Sequence, residues 1–315
     1  MTQKKQKPAK VLSADNRNEK IGSRSPYDNF PLSRYASLLG SQTLGLGFTL
    51  GMLPRTRVLQ QELAKLLGTQ DDIPKSSQDH PQHPFLDPLT ESPARTLFWL
   101  CAGCLVLVGW SAGSLRLWYT ASKSDRLSSP AAQDEKKPET DKTSSAATQL
   151  PPMSPRLLAL KDSVIALACA LPIIFSFIML FGAPLDSHFI PTSFLALLMA
   201  ILTVWTPAFT FGLPGVSSTL VDQERRQRWV DLFIDFSVRS PVDRAVVFPV
   251  VGAIVGCWLG ALPMPLDWDR PWQAWPLTSA YLAVIGHAVG AGVSLAVSIA
   301  QFLLIEAQME NAKEQ

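Results

Sequence analysis

Residues 252–290, GAIVGCWLGALPMPLDWDRPWQAWPLTSAYLAVIGHAVG, decide the fold. Two apolar runs with glycines four residues apart flank PLDWDRPWQAWP, residues 265–276, which holds three tryptophans, three prolines, two aspartates and an arginine. An Asp or Arg at the centre of a bilayer costs ~3 kcal/mol, so Asp267, Asp269 and Arg270 together would cost roughly 9 kcal/mol there and must lie outside the hydrocarbon. Pro263 and Pro265 end the first run as a helix, because proline lacks the amide proton that a helix interior needs. Pro276 is placed to open the second. The indoles of Trp268, Trp272 and Trp275 suit the headgroup region, where a ring is buried while its N–H stays wet. The stretch reads as two membrane helices joined by a loop at the membrane surface. An anchor loop with an Asp267–Arg270 ion pair, and Asp269 capping a turn that starts at Arg270, explains each residue singly. It explains their density poorly.

The rest of the chain repeats the pattern. Hydrophobic residues make up 47% and charged residues only 17% of the 315, too apolar a mixture for a soluble core. Six charge-free stretches stand out: Tyr35–Leu53, Thr96–Leu115, Ser163–Leu185, Ser187–Val221, Ala245–Leu266 and Pro276–Ile305. Each is about as long as the ~20 residues that carry a helix across a ~30 Å hydrocarbon layer. Lipid offers the backbone no hydrogen-bond partners, so helices are the expected form. The fold class is an all-α polytopic membrane protein with six transmembrane helices. The first span is the weakest, since Ser41, Gln42 and Thr43 interrupt it. No signal peptide is read in the first 34 residues, which are polar and basic, so that span is expected to direct its own insertion.

Charge placement sets the expected topology. With six spans both termini share a side, which carries 22 of the 28 Lys and Arg residues; the other side carries six. The positive-inside tendency puts both termini in the cytosol and residues 265–276 on the far side of the membrane. The net charge of +2 says little, and no nucleic acid is expected as a partner.

The organisation follows. Residues 1–34 read as a disordered cytosolic tail and 122–156 as a second low-complexity cytosolic loop. Residues 35–121 carry the first two spans around a polar insertion, 54–95, in which Val58–Leu67 has helical spacing. Residues 157–310 carry the last four spans, with a distinct segment at 221–243 and the loop at 263–276. In 221–243, Trp229, Leu232, Phe233 and Phe236 recur at helical steps behind Arg225, Arg226 and Arg228. That pattern fits a helix lying in the membrane interface with arginines at headgroups. It fits equally a connector packed on its own bundle.

Gly252, Gly256 and Gly260 in the fifth span, with Gly286, Gly290, Ser294 and Ser298 in the sixth, form stripes that let another helix approach closely. Gly109 and Gly113 repeat the spacing in the second. The partner helix is either within the bundle or on another protein. Pro172, Pro207 and Pro249 are expected to kink their spans. Cys101, Cys104, Cys169 and Cys257 all lie in apolar runs and read as packing residues, the C-x-x-C spacing of the first pair notwithstanding. His287 is the one ionisable residue deep in a span, a candidate contact to a partner helix or lipid headgroup, or a neutral histidine bonded within the bundle.

The run GCWLGALPMPLDWDRPWQAWPLTSAY resembles the signature of the PIG-F family, a membrane component of glycosylphosphatidylinositol (GPI) anchor assembly. The resemblance rests on Pro265, Leu266, Asp267, Trp268, Asp269, Arg270, Trp272, Gln273, Trp275 and Pro276. It extends to FLALLMAILTVWTPAF, residues 194–209, and to the six-span layout. It implies a multi-pass protein of the endoplasmic reticulum membrane that supports transfer of ethanolamine phosphate to GPI mannose as a non-catalytic subunit. The implied partner is a large ethanolamine phosphate transferase of the alkaline-phosphatase type, with membrane lipids, the GPI precursor among them, as further contacts. Asp267, Trp268, Asp269, Arg270, Trp272, Gln273, Trp275 and His287 become candidate partner or lipid contacts.

No catalytic residue, cofactor or metal is expected in the chain itself. His80 and His83, near Asp71, Asp72 and Asp79, sit among prolines in a polar loop, and His188 stands beside Asp186. Two-metal phosphotransfer needs a folded domain to hold its ligands, and these loops are too short for one. The competing reading is a lipid transporter or flippase acting alone. Six kinked spans and a membrane-embedded histidine favour it; the lack of an inverted repeat and of a polar row across the spans opposes it.

Overall fold

The computed structural model describes residues 30–55, 85–127, 154–184, 188–215, 217–266, 268 and 270–314. Outside them fall most of the N-terminal tail, the expected helix at Val58–Leu67, Asp71, Asp72, Asp79, His80, His83 and most of the 122–156 loop. Asp186, Asp267 and Asp269 also lie outside the described residues.

Every regular element among the described residues is helical. The long ones are α1 (Leu32–Gly51), α2 (Pro93–Leu127), α3 (Pro155–Leu180), α4 (Phe189–Phe211), α5 (Leu220–Phe233), α6 (Pro241–Ala261) and α7 (Leu277–Glu314). Five of them, α2, α3, α4, α6 and α7, are long and apolar enough to cross a membrane. The protein is an all-α polytopic membrane protein. α1 has the length of a span but not the apolarity, because Arg34, Ser41, Gln42 and Thr43 lie within its 20 residues. It still belongs to the bundle. Tyr35 Oη near its start donates to Ser294 Oγ of α7 at 3.1 Å, and Tyr281 Oη of α7 donates to the Leu50 carbonyl near its end at 3.1 Å. These bonds run α1 and α7 antiparallel.

Three boundaries differ from expectation. α2 continues to Leu127, six residues into the stretch read as loop. α4 stops at Phe211, because Gly212 adopts φ +84°, a non-helical conformation that glycine takes without a Cβ clash. α7 runs on to Glu314, since no glycine or proline follows Gly292 to stop it.

α4 is the centre of the bundle. Of its most apolar 18-residue window 72% is buried inside the protein, against 11% for α3, which lies at the periphery. α2 meets α4 with Leu97, Leu100, Cys101, Cys104, Val108 and Ala112, a stripe at three- and four-residue steps. Cys101 Sγ donates to the Phe194 carbonyl of α4 at 3.4 Å, and both thiols are buried packing groups. Within α4, residues Ile201–Trp205 form a π turn. It stands where Pro207 removes an amide and crowds the carbonyl of Thr203, and the wider turn relieves that clash.

α6 and α7 touch backbone to backbone. A methyl on Gly252 would fall inside 3.0 Å of the Gly286 carbonyl, and one on Gly286 equally close to the Gly252 carbonyl. Gly256 stands in the same way against the carbonyl of Leu282, Gly260 against that of Thr278, and Gly290 against that of Phe248. The stripes therefore face one another inside the chain. Ser294 and Ser298 continue the seam as hydrogen-bond acceptors for Tyr35 and for Arg244 Nε, the latter at 3.1 Å. Gly109 and Gly113 form no such groove: Gly109 meets only the Trp205 ring at 3.6 Å, and Gly113 faces open space.

Gly256→Ala is expected to force the two backbones apart and cost about 1–3 kcal/mol, as overpacking does. Gly113→Ala, with space for its methyl, should leave stability unchanged or slightly higher. Unfolding of the purified protein in a mild detergent distinguishes the two, and equal midpoints would contradict the close seam.

Candidate functional site

The corner between α6 and α7 is built around Gln273. After Ala261 the chain descends through turns bonded from the Leu262 amide to the Leu259 carbonyl, from Met264 to Ala261 and from Leu266 to Pro263, each at 3.2 Å. A single helical turn follows at Pro271–Gln273. Its first residue is preceded by Arg270, whose amide donates to Gln273 Oε1 at 2.9 Å. Gln273 Nε2 donates in turn to the Pro263 carbonyl at 2.7 Å and to the Leu266 carbonyl at 2.9 Å. One side-chain amide thus fastens both limbs of the loop. The arrangement is half of a capping box, whose signature is a Gln or Glu three residues past the cap. That signal stood in the sequence at Arg270–Gln273, where the expected cap was Asp269.

The three tryptophans divide. Trp275 turns inward onto the core, and its Nε1 donates to Thr192 Oγ1 of α4 at 3.0 Å. Thr192, fully buried, had no mark in the sequence. Trp268 and Trp272 pair with ring centroids 5.8 Å apart, and Trp268 keeps 51% of its surface exposed. Arg270 is exposed beside them, as are Trp258, Leu262 and Leu266. The corner joins a rigid inner half to an outer half of indole, aliphatic and guanidinium surface.

At the opposite end, α5 is clasped to the bundle. The Thr219 hydroxyl caps it, 3.3 Å from the Asp222 amide. Arg225 Nη1 donates to the Leu213 carbonyl at 3.3 Å and lies 3.5 Å from Asp162 of α3. Arg226 Nη1 donates to the Gly215 carbonyl at 3.2 Å, and Trp229 Nε1 to the Gly212 carbonyl at 3.0 Å. Arg228 pairs with Asp243 and stands 5.4 Å from the Phe211 ring centroid. Arg225, Arg226 and Arg228 are engaged by the protein itself, which favours the packed connector over the headgroup-binding helix. Asp243, 1% exposed, also closes a capping box with Ser240 at the start of α6. The run Ser240-Pro-Val-Asp243 carries that signal in the sequence.

His287 lies in the interior, 3% exposed, near the midpoint between corner and clasp. Its distance in chain and fold from Trp268 and Arg270 separates it from the corner. Among the described residues no group of three or more His, Cys, Asp or Glu could hold a metal ion.

Gln273→Ala is expected to free the Arg270 amide and two carbonyls at once, at about 1 kcal/mol for each net hydrogen bond. Hydrogen exchange at Arg270 should then rise at least several-fold while α6 and α7 keep their protection. Unchanged exchange would show that the corner stands without its amide.

Residues 84–295 match the model of the GPI biosynthesis protein family Pig-F. Over 131 residues the chain is 36% identical to glycosylphosphatidylinositol anchor biosynthesis protein 11 of Yarrowia lipolytica, covering 42% of this chain and 52% of that one. It is 38% identical over 143 residues to a PIGF/3-ketodihydrosphingosine reductase fusion protein of Schizosaccharomyces pombe, covering 45% of this chain and 26% of that protein. It is 32% identical over 115 residues to the human GPI ethanolamine phosphate transferase, stabilizing subunit, covering 36% of this chain and 48% of that subunit. The chain spans about half the length of most of these relatives, and a quarter of the fusion protein. No solved structure matches it. The family match runs from the turn ahead of α2, across the tryptophan corner and into α7, and on that ground the chain belongs to the GPI biosynthesis protein family Pig-F.

Proposed function

We propose that the protein is a non-catalytic membrane subunit that stabilises a GPI ethanolamine phosphate transferase, and so supports ethanolamine phosphate addition to GPI mannose. The printed role of the human relative, a stabilizing subunit of that transferase, supports the reading. The observation that carries it is the division of the corner. Gln273 and Trp275 are consumed in shaping the loop, while Trp268, backed by the half-buried Trp272, and Arg270 face outward and are free to meet another molecule. A loop that served only to connect two helices needs no such outward group. The catalytic subunit, a large enzyme of the alkaline-phosphatase type, would supply the metal site, and this chain none.

The endoplasmic reticulum membrane is the proposed location, with the corner on the lumenal side and both termini cytosolic. Basic residues support this orientation: Arg116, Lys123, Arg225, Arg226, Arg228, Arg239 and Arg244 gather at the end of the bundle away from the corner, whose own end has Arg55, Arg95 and Arg270 among the described residues. Asp267 and Asp269 remain proposed contacts beside Arg270, and a GPI headgroup is a further candidate for that surface. The lone-transporter reading has only the kinked spans and the membrane-embedded His287 in its favour. The cavity beside His287 has a volume of about 20 Å³, enough for one water and far too little for a lipid headgroup.

The test uses the tagged full chain in a mild detergent. Trp268→Ala combined with Arg270→Ala is expected to reduce the co-purified transferase about tenfold or more, while the amount of inserted protein and its unfolding midpoint stay as in the wild type. Loss of two interface anchors commonly has that size. Undiminished transferase recovery would overturn the corner as the docking surface, and loss of insertion would return it to a folding role.

A further inference from the structure

The interior of the bundle holds, among the described residues, a polar arrangement that neither docking nor packing uses. A small cavity of about 20 Å³ lies where α1, α2, α4, α6 and α7 converge. Its wall includes Gln42, Ser111, Ala245 and His287. Apolar cavities of this size stay dry, but polar ones hold a water when two to four partners surround it.

The partners are here. His287 hydrogen-bonds the backbone of Pro249, which as a proline offers only a carbonyl, so the histidine is the donor. Its Nδ1 has no hydrogen-bond partner, which makes Nε2 the donor to Pro249. With that one proton on the ring, Nδ1 is an acceptor, buried and unanswered. Gln42, with 7% exposure, makes no side-chain hydrogen bond to another described residue, although its amide carries two donors and an acceptor. Pro249 lacks the amide that would otherwise bond the Ala245 carbonyl one turn earlier. Ser111 Oγ donates to the Val108 carbonyl at 3.0 Å and keeps its lone pairs.

We infer that this cavity is a binding site for a single ordered water molecule, which donates to His287 Nδ1 and joins it to Gln42 of α1. The site accounts for Gln42, a residue that weakens α1 as a membrane helix and otherwise gives nothing back. It also completes a series. α1 is bonded to α7 near one end through Tyr35 and Ser294, near the other through Leu50 and Tyr281, and at its middle through Gln42, the water and His287. The water links α1, too polar to be held by lipid alone, to the glycine-packed pair. The inference is independent of the proposed partner.

The direct test is magic-angle-spinning NMR on the full-length wild-type protein in lipid bilayers, with its four histidines labelled with ¹⁵N. His287, assigned through Gly286 and Ala288, should show an unprotonated Nδ1 that receives magnetisation from water protons within milliseconds. A proton on Nδ1, or no transfer from water, overturns the inference. A second measurement compares unfolding of Gln42→Leu, His287→Leu and the double variant. Loss in the double variant no greater than in the worse single variant supports a shared water, whereas additive losses show two independent sites.

Discussion

The backbone contact between α6 and α7 is the constraint on which the rest depends. Between membrane helices there is no hydrophobic force to speak of, because lipid tails are as apolar as leucine. What remains is dispersion, and dispersion fades within an ångström of contact. Five glycines bring the two backbones to touching distance along nearly the whole seam. No larger side chain fits there. The corner inherits its shape from this: two helix ends held that close leave the connecting loop little freedom, and Gln273 removes what is left.

Polar groups at chosen depths set the register of the helices, within this pair and around it. Arg244 reaches Ser298, Tyr35 reaches Ser294, Trp275 reaches Thr192, and Arg116 Nη1 reaches the Phe209 carbonyl at 2.7 Å. Each bond is worth little beside the apolar contacts, yet each fixes register, since a helix sliding by one residue leaves a buried donor without its acceptor. Tyr35, Ser294, Arg244 and Ser298 also lie at one end of the α1–α6–α7 cluster, close to the clasp of Arg228 on Asp243. The two ends of the molecule are thus built differently. One is laced by charge, the other by a single glutamine and an indole.

Much of this was legible in the sequence. Charge-free runs gave five of the six expected spans, and four-residue glycine spacing marked the seam helices, because both depend on composition along one chain. The tryptophan loop could be placed at a membrane surface from the energy of its charges alone. What could not be read depends on which helices meet. Nothing in FIPTSFLALLMA shows that Thr192 receives Trp275, or that Phe189–Phe211 is central and Pro155–Leu180 peripheral, since each carries a long charge-free run. The arginines of α5 were ambiguous for the same reason, as their acceptors are backbone carbonyls that any sequence supplies. Gly109 and Gly113 show the converse: the spacing was present, and no backbone came close to fill it.

The pairing of α1 with α7 has a consequence for how the chain is made. These are the first and last long helices described, and their bonded residues Tyr35 and Ser294 stand 259 positions apart. During synthesis α1 enters the membrane long before its partner exists. Until α7 is threaded, Gln42 and Tyr35 face either lipid or whatever insertion factor shields them. α6 also waits, since its glycine face has no other occupant. Assembly therefore closes from the carboxyl-terminal side, in one late step that seats α7 between a helix made just before it and one made at the start. A nascent chain released ahead of that step would carry an unanswered polar face into the bilayer, the kind of signal by which membrane quality control sorts finished subunits from unfinished ones.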